Sequence, residues 1–278
     1  MKTVGLALGG GGARGLSHIP YVQALDELGV KPAIISGTSI GSIIGGFYAA
    51  GLSGKDMEAL TEHISILEIG KMIDLNVLRS SGLVKGKGVT EFLEEHLPVH
   101  TFEQLNIPLK VVAADFWKGS EVVIDSGNLV DAIRASISIP GIFIPYTIDN
   151  ILLVDGGVVN PLPMSVIREH CDILIAIDVS GIVVPPKNNR PPSVFDIVMN
   201  TYHIMEAKFL ENDLAENRPE IYVKPPLENV QVLDFHRAKK IMKCAQKEAD
   251  GFKQQVEDAL ELKINRKRSF FPFFRKRT

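Results

Sequence analysis

"PAIISGTSIGSIIGG", residues 32–46, is the stretch on which the fold turns. An apolar, β-rich run (32–36) passes into Gly37-Thr38-Ser39-Ile40-Gly41, and a run of small and apolar residues with helical character follows. A G-x-S-x-G between a strand and a helix is the pattern of a nucleophile elbow, whose tight turn holds a serine Oγ clear of the backbone. Gly37 and Gly41 keep Cβ atoms out of the crowded turn. The five letters alone would also fit any glycine- and serine-rich turn, so the flanking pattern carries the reading.

Upstream, "GGGGARG" (9–15) follows the apolar run "VGLAL" and contains G-x-G-x-x-G as Gly10, Gly12 and Gly15. A dinucleotide site would need a carboxylate about 20 residues on, at the end of the second strand, to hold the ribose. That position holds the serine turn instead, and Asp26 and Glu27 fall earlier, inside the first helix. No Gly-Lys-Ser/Thr follows the glycines, which removes the P-loop reading. A serine nucleophile needs donors for the oxyanion of its transition state. Loops after adjacent parallel strands emerge at one edge of the sheet. The N–H groups of Gly10, Gly11 and Gly12, with the helix starting near Arg14, are therefore placed to face an oxyanion beside Ser39.

Strand-like runs at 3–8, 32–36, 109–115, 121–124, 151–155, 173–179 and 220–224 alternate with helical patterns near 14–29, 40–51, 54–66, 88–97, 127–137, 162–170, 194–216 and 234–262. Strands apolar on both faces belong in a sheet covered on two sides, and the alternation predicts an α/β fold with a mostly parallel sheet. Ser53 is placed to cap the helix that follows it, and Gly29 to end the preceding one. Pro20, inside the first helical pattern, is expected to kink it. Residues 67–88 are the least regular interior stretch.

The serine also needs a base. His170, His203 and His236 follow it in the chain, but none lies in a loop context suited to catalysis, and each reads as structural or surface. "ILLVDGGVVNPLP" (151–163) instead places Asp155 directly after an apolar strand, where burial would raise its pKa and strengthen it as a base. Taken alone, Asp155 also fits a turn residue bonding its own backbone.

Composition adds limits. The chain is 45% hydrophobic and 23% charged, an ordinary globular balance. No apolar run approaches the roughly 20 residues of a membrane span. Val4–Leu8 is shorter than a secretory core of roughly 7–15 residues and reads as a first strand. Cys171 and Cys244 are far apart without metal-ligand spacing, and read as reduced, buried thiols of a cytoplasmic protein.

Four blocks together resemble the patatin-like phospholipase family, most closely its bacterial members related to the neuropathy target esterase domain: "LGGGGARG" (8–15), "GTSIGS" (37–42), "ASISIPGIF" (135–143) and "DGGVVNPLP" (155–163). The similarity runs in order from residue 3 to about 225. It implies a three-layer α/β/α fold, a Ser–Asp dyad of Ser39 and Asp155 without histidine, and an oxyanion block of Gly10, Gly11, Gly12 and Arg14. It also implies hydrolysis of acyl esters in phospholipids or lysophospholipids with no metal or cofactor. Pro20 departs from the family pattern, in which that position is commonly small. The rival readings are a peptidase or α/β-hydrolase recruiting one of the histidines, and a lipid- or protein-binding regulatory module whose hydrolysis is incidental.

The expected organisation is a catalytic domain over 1–262 and a flexible tail over 263–278, interrupted as a helix by Pro272. That tail holds seven Lys/Arg and no acid, leaving 23 basic against 33 acidic residues upstream. An acidic body would repel nucleic acid. Basic clusters around Phe270, Phe271, Phe273 and Phe274 instead suit peripheral contact with an anionic membrane surface. Deleting 264–278 should therefore weaken co-sedimentation with anionic vesicles at low salt while hydrolysis of a soluble short-chain ester stays near wild type. Equal co-sedimentation of both forms would overturn the membrane expectation.

Overall fold

A computed structural model describes residues 2–63, 84–182, 184 and 191–268. Its strands are β1 (Val4–Leu8), β2 (Ile34–Thr38), β3 (Leu109–Asp115), β4 (Glu121–Ile124), β5 (Tyr146–Ile148), β6 (Ile151–Asp155), β7 (Ile173–Ile177) and β8 (Ile221–Val223). The α-helices are α1 (His18–Glu27), α2 (Ile40–Ala49), α3 (Gly54–His63), α4 (Lys87–His96), α5 (Leu129–Ser136), α6 (Val194–Glu216), α7 (Ala238–Gln246) and α8 (Ala249–Arg268).

The strands form one sheet in the order β5-β6-β3-β2-β1-β7-β8, with β4 also paired to β3. Pairing is parallel from β3 to β8. It is antiparallel where β3 meets β4 and β6, and where β6 meets β5. The sheet is thus mixed, with a parallel core. Strand side chains alternate between faces, as a period of two requires. Leu6, Leu8, Ile173, Ile175 and Ile177 pack into the larger core with α1, α2, α5 and α7. Ala7, Leu174 and Ala176 face the other way, under Leu162, Met164, Ile167 and Leu210 of α6. Helical cover on both faces makes three layers.

The functional geometry comes from β3. Its residues 109–112 pair with β2, 111–114 with β4, and 113–115 with β6. A strand has only two edges, so β2 and β6 share one of them, end to end. Because β2 is parallel to β3 and β6 antiparallel, their carboxyl ends meet head-on. Thr38 lies opposite Val112, and Asp155 opposite Ala113. The sequence places Asp155 at the end of an apolar strand; that strand runs antiparallel to β3, so Asp155 reaches Ser39 from the opposite direction along the same seam.

Other expectations are corrected in detail. The chain turns as a 3-10 helix over Gly12–Ser17 and becomes α-helical only at His18. Pro20 therefore sits in the first turn of α1, where its missing N–H matters least, and does not kink an α-helix interior. Residues 162–170 form no α-helix: Pro161 and Pro163 interrupt it, and only Arg168–His170 makes a 3-10 turn. Strand β5 was missed. It forms a hairpin with β6 through Asp149 (φ 49°) and Asn150 (φ 63°), the pair of left-handed residues of a type I′ turn. The 234–262 pattern divides into a 3-10 turn, α7 and α8. Helix α8 runs to Arg268, so 263–268 of the expected tail are helical; 269–278 lie outside the described residues, as do 67–83 of the irregular stretch.

The expected caps hold. Ser53 Oγ accepts from Asp56 N–H at 3.2 Å, Asp56 accepts from Ser53 N–H at 2.8 Å, and Gly29 (φ 65°) follows α1. Both cysteines are thiols outside any disulfide, and both are half-buried. No described helix is long and apolar enough to cross a membrane.

The tightest packing joins α2 to β1. A Cβ on Gly41 would stand 2.1 Å from the Leu8 carbonyl oxygen, where backbone on both sides leaves nothing to yield. Gly41→Ala should cost about 3 kcal/mol in urea unfolding, and a loss below 1 kcal/mol would show that the two elements can separate.

Candidate active site

Ser39 follows β2 with φ 53° and ψ −126°, a backbone state that non-glycine residues rarely adopt. Such strain persists only when neighbours over-determine it, and here they do. Ser39 N–H donates to Ser136 Oγ at 2.8 Å, and that hydroxyl donates to Val112 O at 2.6 Å. The Ser39 carbonyl accepts from Ser42 N–H at 2.8 Å and Ser42 Oγ at 2.6 Å. A Cβ on Gly37 would lie 2.5 Å from Gly41 O, so the elbow closes on bare backbone.

The glycine loop stands beside it because β1 pairs with β2, Leu8 opposite Gly37. Gly10 N–H donates to Pro161 O at 2.8 Å, so it is engaged within the protein rather than facing a substrate. Among the described residues, no acceptor takes the N–H groups of Gly11 and Gly12. Arg14 is buried, and its Nε–H donates to Gly11 O at 3.1 Å. The Gly11 carbonyl and Gly12 N–H share one trans peptide and point opposite ways. Arg14 therefore turns the Gly12 N–H away from itself and does not reach the substrate space with its guanidinium. Gly12 needs its φ of 56°, and a Cβ there would lie 2.5 Å from Val232 O. Beneath the loop, buried His18 Nε2 donates to Gly9 O at 2.9 Å; burial lowers its pKa to about 4 and keeps it neutral.

Asp155 is buried at the end of β6. Its Oδ1 accepts from Gly157 N–H at 2.8 Å and from Tyr202 Oη at 3.2 Å. Oδ2 has no partner at hydrogen-bonding geometry, which leaves it the oxygen open to Ser39. Burial pushes the carboxyl up to about 7; the Ser39 hydroxyl and Gly157 N–H favour its charge, Glu206 opposes it, and Tyr202 again favours it. The elbow and Asp155 close on one point of β3: Gly156 also packs on Val112 O, where a Cβ would stand 2.3 Å away.

Ser39 and Gly12 line a cavity of about 320 Å³. Ile40, Ile44, Phe47, Leu60, Phe92 and Phe143 are among its walls, with Thr61, His236 and Lys239 as its other polar side chains. Ser39 and Gly12 thus border a space suited to a hydrocarbon chain, while the Asp155 carboxylate is buried outside its lining.

Among the described contacts, none of the three candidate histidines bonds to Ser39 or Asp155, although His236 stands in the cavity wall. His170 and His236 are exposed, and His203 bonds to Glu206 and Arg14. Sequence reading missed Ser136, His18, Tyr202 and Glu206. For the last two there was a signal: Met199, Tyr202, Glu206 and Leu210 recur at inward-facing helical spacing, and a tyrosine and a glutamate on such a stripe require partners.

The model of the family described as patatin-like phospholipase matches residues 6–167, more than half of the sequence. The chain belongs to the patatin-like phospholipase family. An uncharacterized NTE family protein of Mycobacterium tuberculosis is 36% identical over 192 residues, covering 69% of this chain and 53% of the relative. The lysophospholipase NTE1 of Kluyveromyces lactis is 27% identical over 287 residues, covering 94% of this chain and 20% of that protein. The patatin-like chain therefore spans about half the length of the mycobacterial relative and a fifth of the yeast one. Among solved structures, VipD from Legionella pneumophila superposes with a TM-score of 0.50 at 14% identity, over 91% of this chain and 66% of VipD, a likeness of fold.

The raised carboxyl of Asp155 has a consequence for stability. Below about pH 4 both folded and unfolded chains hold this proton, so the group has no effect. Between about 4 and 7 the unfolded chain releases it while the folded protein keeps it, so stability falls as pH rises. Above about 7 the loss is complete, on the order of 4 kcal/mol. Asp155→Asn should consequently unfold at higher urea than wild type at pH 8 and lose that advantage by pH 4. Equal midpoints at pH 8 would contradict the burial argument.

Proposed function

We propose that the protein is a serine esterase that hydrolyses acyl esters of phospholipids or lysophospholipids. The observation that carries this reading is the apolar cavity that opens on Ser39 and Gly12, with the unpartnered oxygen of Asp155 buried beside the elbow.

In the proposed reaction the acyl chain fills the cavity and the ester carbonyl lies at its polar end. Ser39 Oγ attacks the carbonyl carbon as its proton passes to Asp155. The N–H groups of Gly11 and Gly12 hold the oxyanion, within the block that also includes Gly10 and Arg14 as supports. Collapse expels the alcohol, which takes the proton from Asp155. Water, losing a proton to Asp155, then attacks the acyl-serine; Ser39 leaves with that proton, and the fatty acid is released. A carboxyl at about pH 7 suits both directions of transfer, since a base must hold the proton and also return it. The activity should therefore rise to a plateau through about pH 7. Held at an anionic surface by the basic, aromatic 263–278 segment, such an enzyme would meet a substrate that resides in a bilayer.

Ser39→Ala and Asp155→Asn should each abolish nearly all turnover of a lysophospholipid, and the double variant should be no worse, because the pair acts as a unit. Wild type, but not Ser39→Ala, should be labelled by a fluorophosphonate. A folded His203→Ala or His236→Ala variant as inactive as Ser39→Ala would replace the dyad with a triad. Lipid binding without turnover in wild type would favour the regulatory reading.

A further inference from the structure

One turn of α6 touches both halves of this site. Tyr202 Oη donates to Asp155 Oδ1 at 3.2 Å. His203 Nδ1 lies 2.8 Å from Glu206 Oε2, and Arg14 Nη2 rests against the same ring, 3.3 Å from Nε2 and 3.5 Å from Nδ1. Arg14 in turn holds Gly11 O. Tyr202 and Glu206 also converge. A Cβ on Gly157 would stand 2.2 Å from Tyr202 Oη and 2.6 Å from Glu206 Oε1, so bare backbone at that position makes room for both.

We infer that Tyr202, His203 and Glu206 are positioning residues, a part-buried hydrogen-bonded bridge that ties the catalytic carboxylate to the oxyanion loop. The inference rests on the hydrolase reading above. Tyr202 steadies the ionised form of Asp155 by donating to Oδ1, away from the oxygen that faces Ser39. Glu206 is buried and opposes that ionisation by its charge. Glu206 also orients His203, whose ring fixes Arg14 and, through Gly11 O, the direction of the Gly12 N–H. The charged and titratable groups facing this bridge come from three sides. Ser39 lies against Asp155 from the elbow. Asp178, which follows β7, acts on Arg14. Asp178 is itself held by Lys224 at 2.9 Å and Tyr222 at 2.6 Å from the β8 side. Burial and the two carboxylates keep the Tyr202 proton on its oxygen, so it remains a donor.

The two halves of the bridge have separate signatures. Tyr202→Phe keeps the ring and removes the donor to Asp155, so the acid limb of kcat/KM should move up by roughly one pH unit. Glu206→Gln keeps the shape and removes the charge, so the same limb should move down. His203→Ala should lower kcat about tenfold with KM within about twofold, as for a displaced oxyanion donor, and leave the limb in place. His203→Gln, which can both donate and accept, should recover most of that loss. Thermal melts of each variant identify folded protein. Limbs that stay at the wild-type pH in folded Tyr202→Phe and Glu206→Gln, or losses equal at every pH, would overturn the bridge while leaving the hydrolase intact. A wild type with neither turnover nor fluorophosphonate labelling of Ser39 would overturn both.

Discussion

The edge of β3 at Val112 and Ala113 is the constraint on which the rest of the structure depends. Two strands arrive there from opposite directions, and both must stop because neither can pass the other. Where β2 stops, the chain turns sharply and carries Ser39; where β6 stops, it carries Asp155. Ser136 and Gly156 pack onto the same carbonyl, Val112 O, so the two chain ends are fixed to one reference point. Ser39 and Asp155, far apart in sequence, are thus brought together by strand register.

Burial serves the two partners differently. For Ser39 it brings backbone strain that Ser136 and Ser42 hold in place. For Asp155 it brings a proton affinity that an exposed aspartate lacks, at a cost to folding whenever the group is charged. The cost is accepted locally because the surrounding sheet is deep: the strands flanking the site are apolar on both faces, and their packing does not depend on the protonation of one carboxyl. The site is in this sense stabilised by distant residues that never approach a substrate.

Much of this was legible in the sequence, for reasons that can be named. The elbow and the glycine loop announce themselves because tight turns and close backbone contacts demand glycine at fixed positions. Asp155 was visible because it ends an apolar strand and is followed at once by a glycine pair, which Asp115 and Asp178 at the ends of their strands are not. The direction of β6 was not visible, since a strand of five residues reads the same whether its neighbour is parallel or antiparallel. Strand β5 was hidden by its length, although Asp149-Asn150 marked the turn. The unequal roles within the glycine loop were hidden too, because which N–H is engaged depends on Pro161, a long way along the chain. The partners on α6 were out of reach for the same reason: nothing local tells a helix which face will meet a carboxylate.

The seam also separates the reaction from its container. Ser39 and Asp155 are set by β2, β3 and β6, whereas much of the cavity wall comes from α3, α4 and residues 232–239. Those wall segments attach outside the seam, so they can be lengthened, shortened or exchanged without altering the register that pairs Ser39 with Asp155. The fold is in effect a fixed chemical head with a replaceable mould, and lineages or engineers seeking a new acyl chain need only recast the mould.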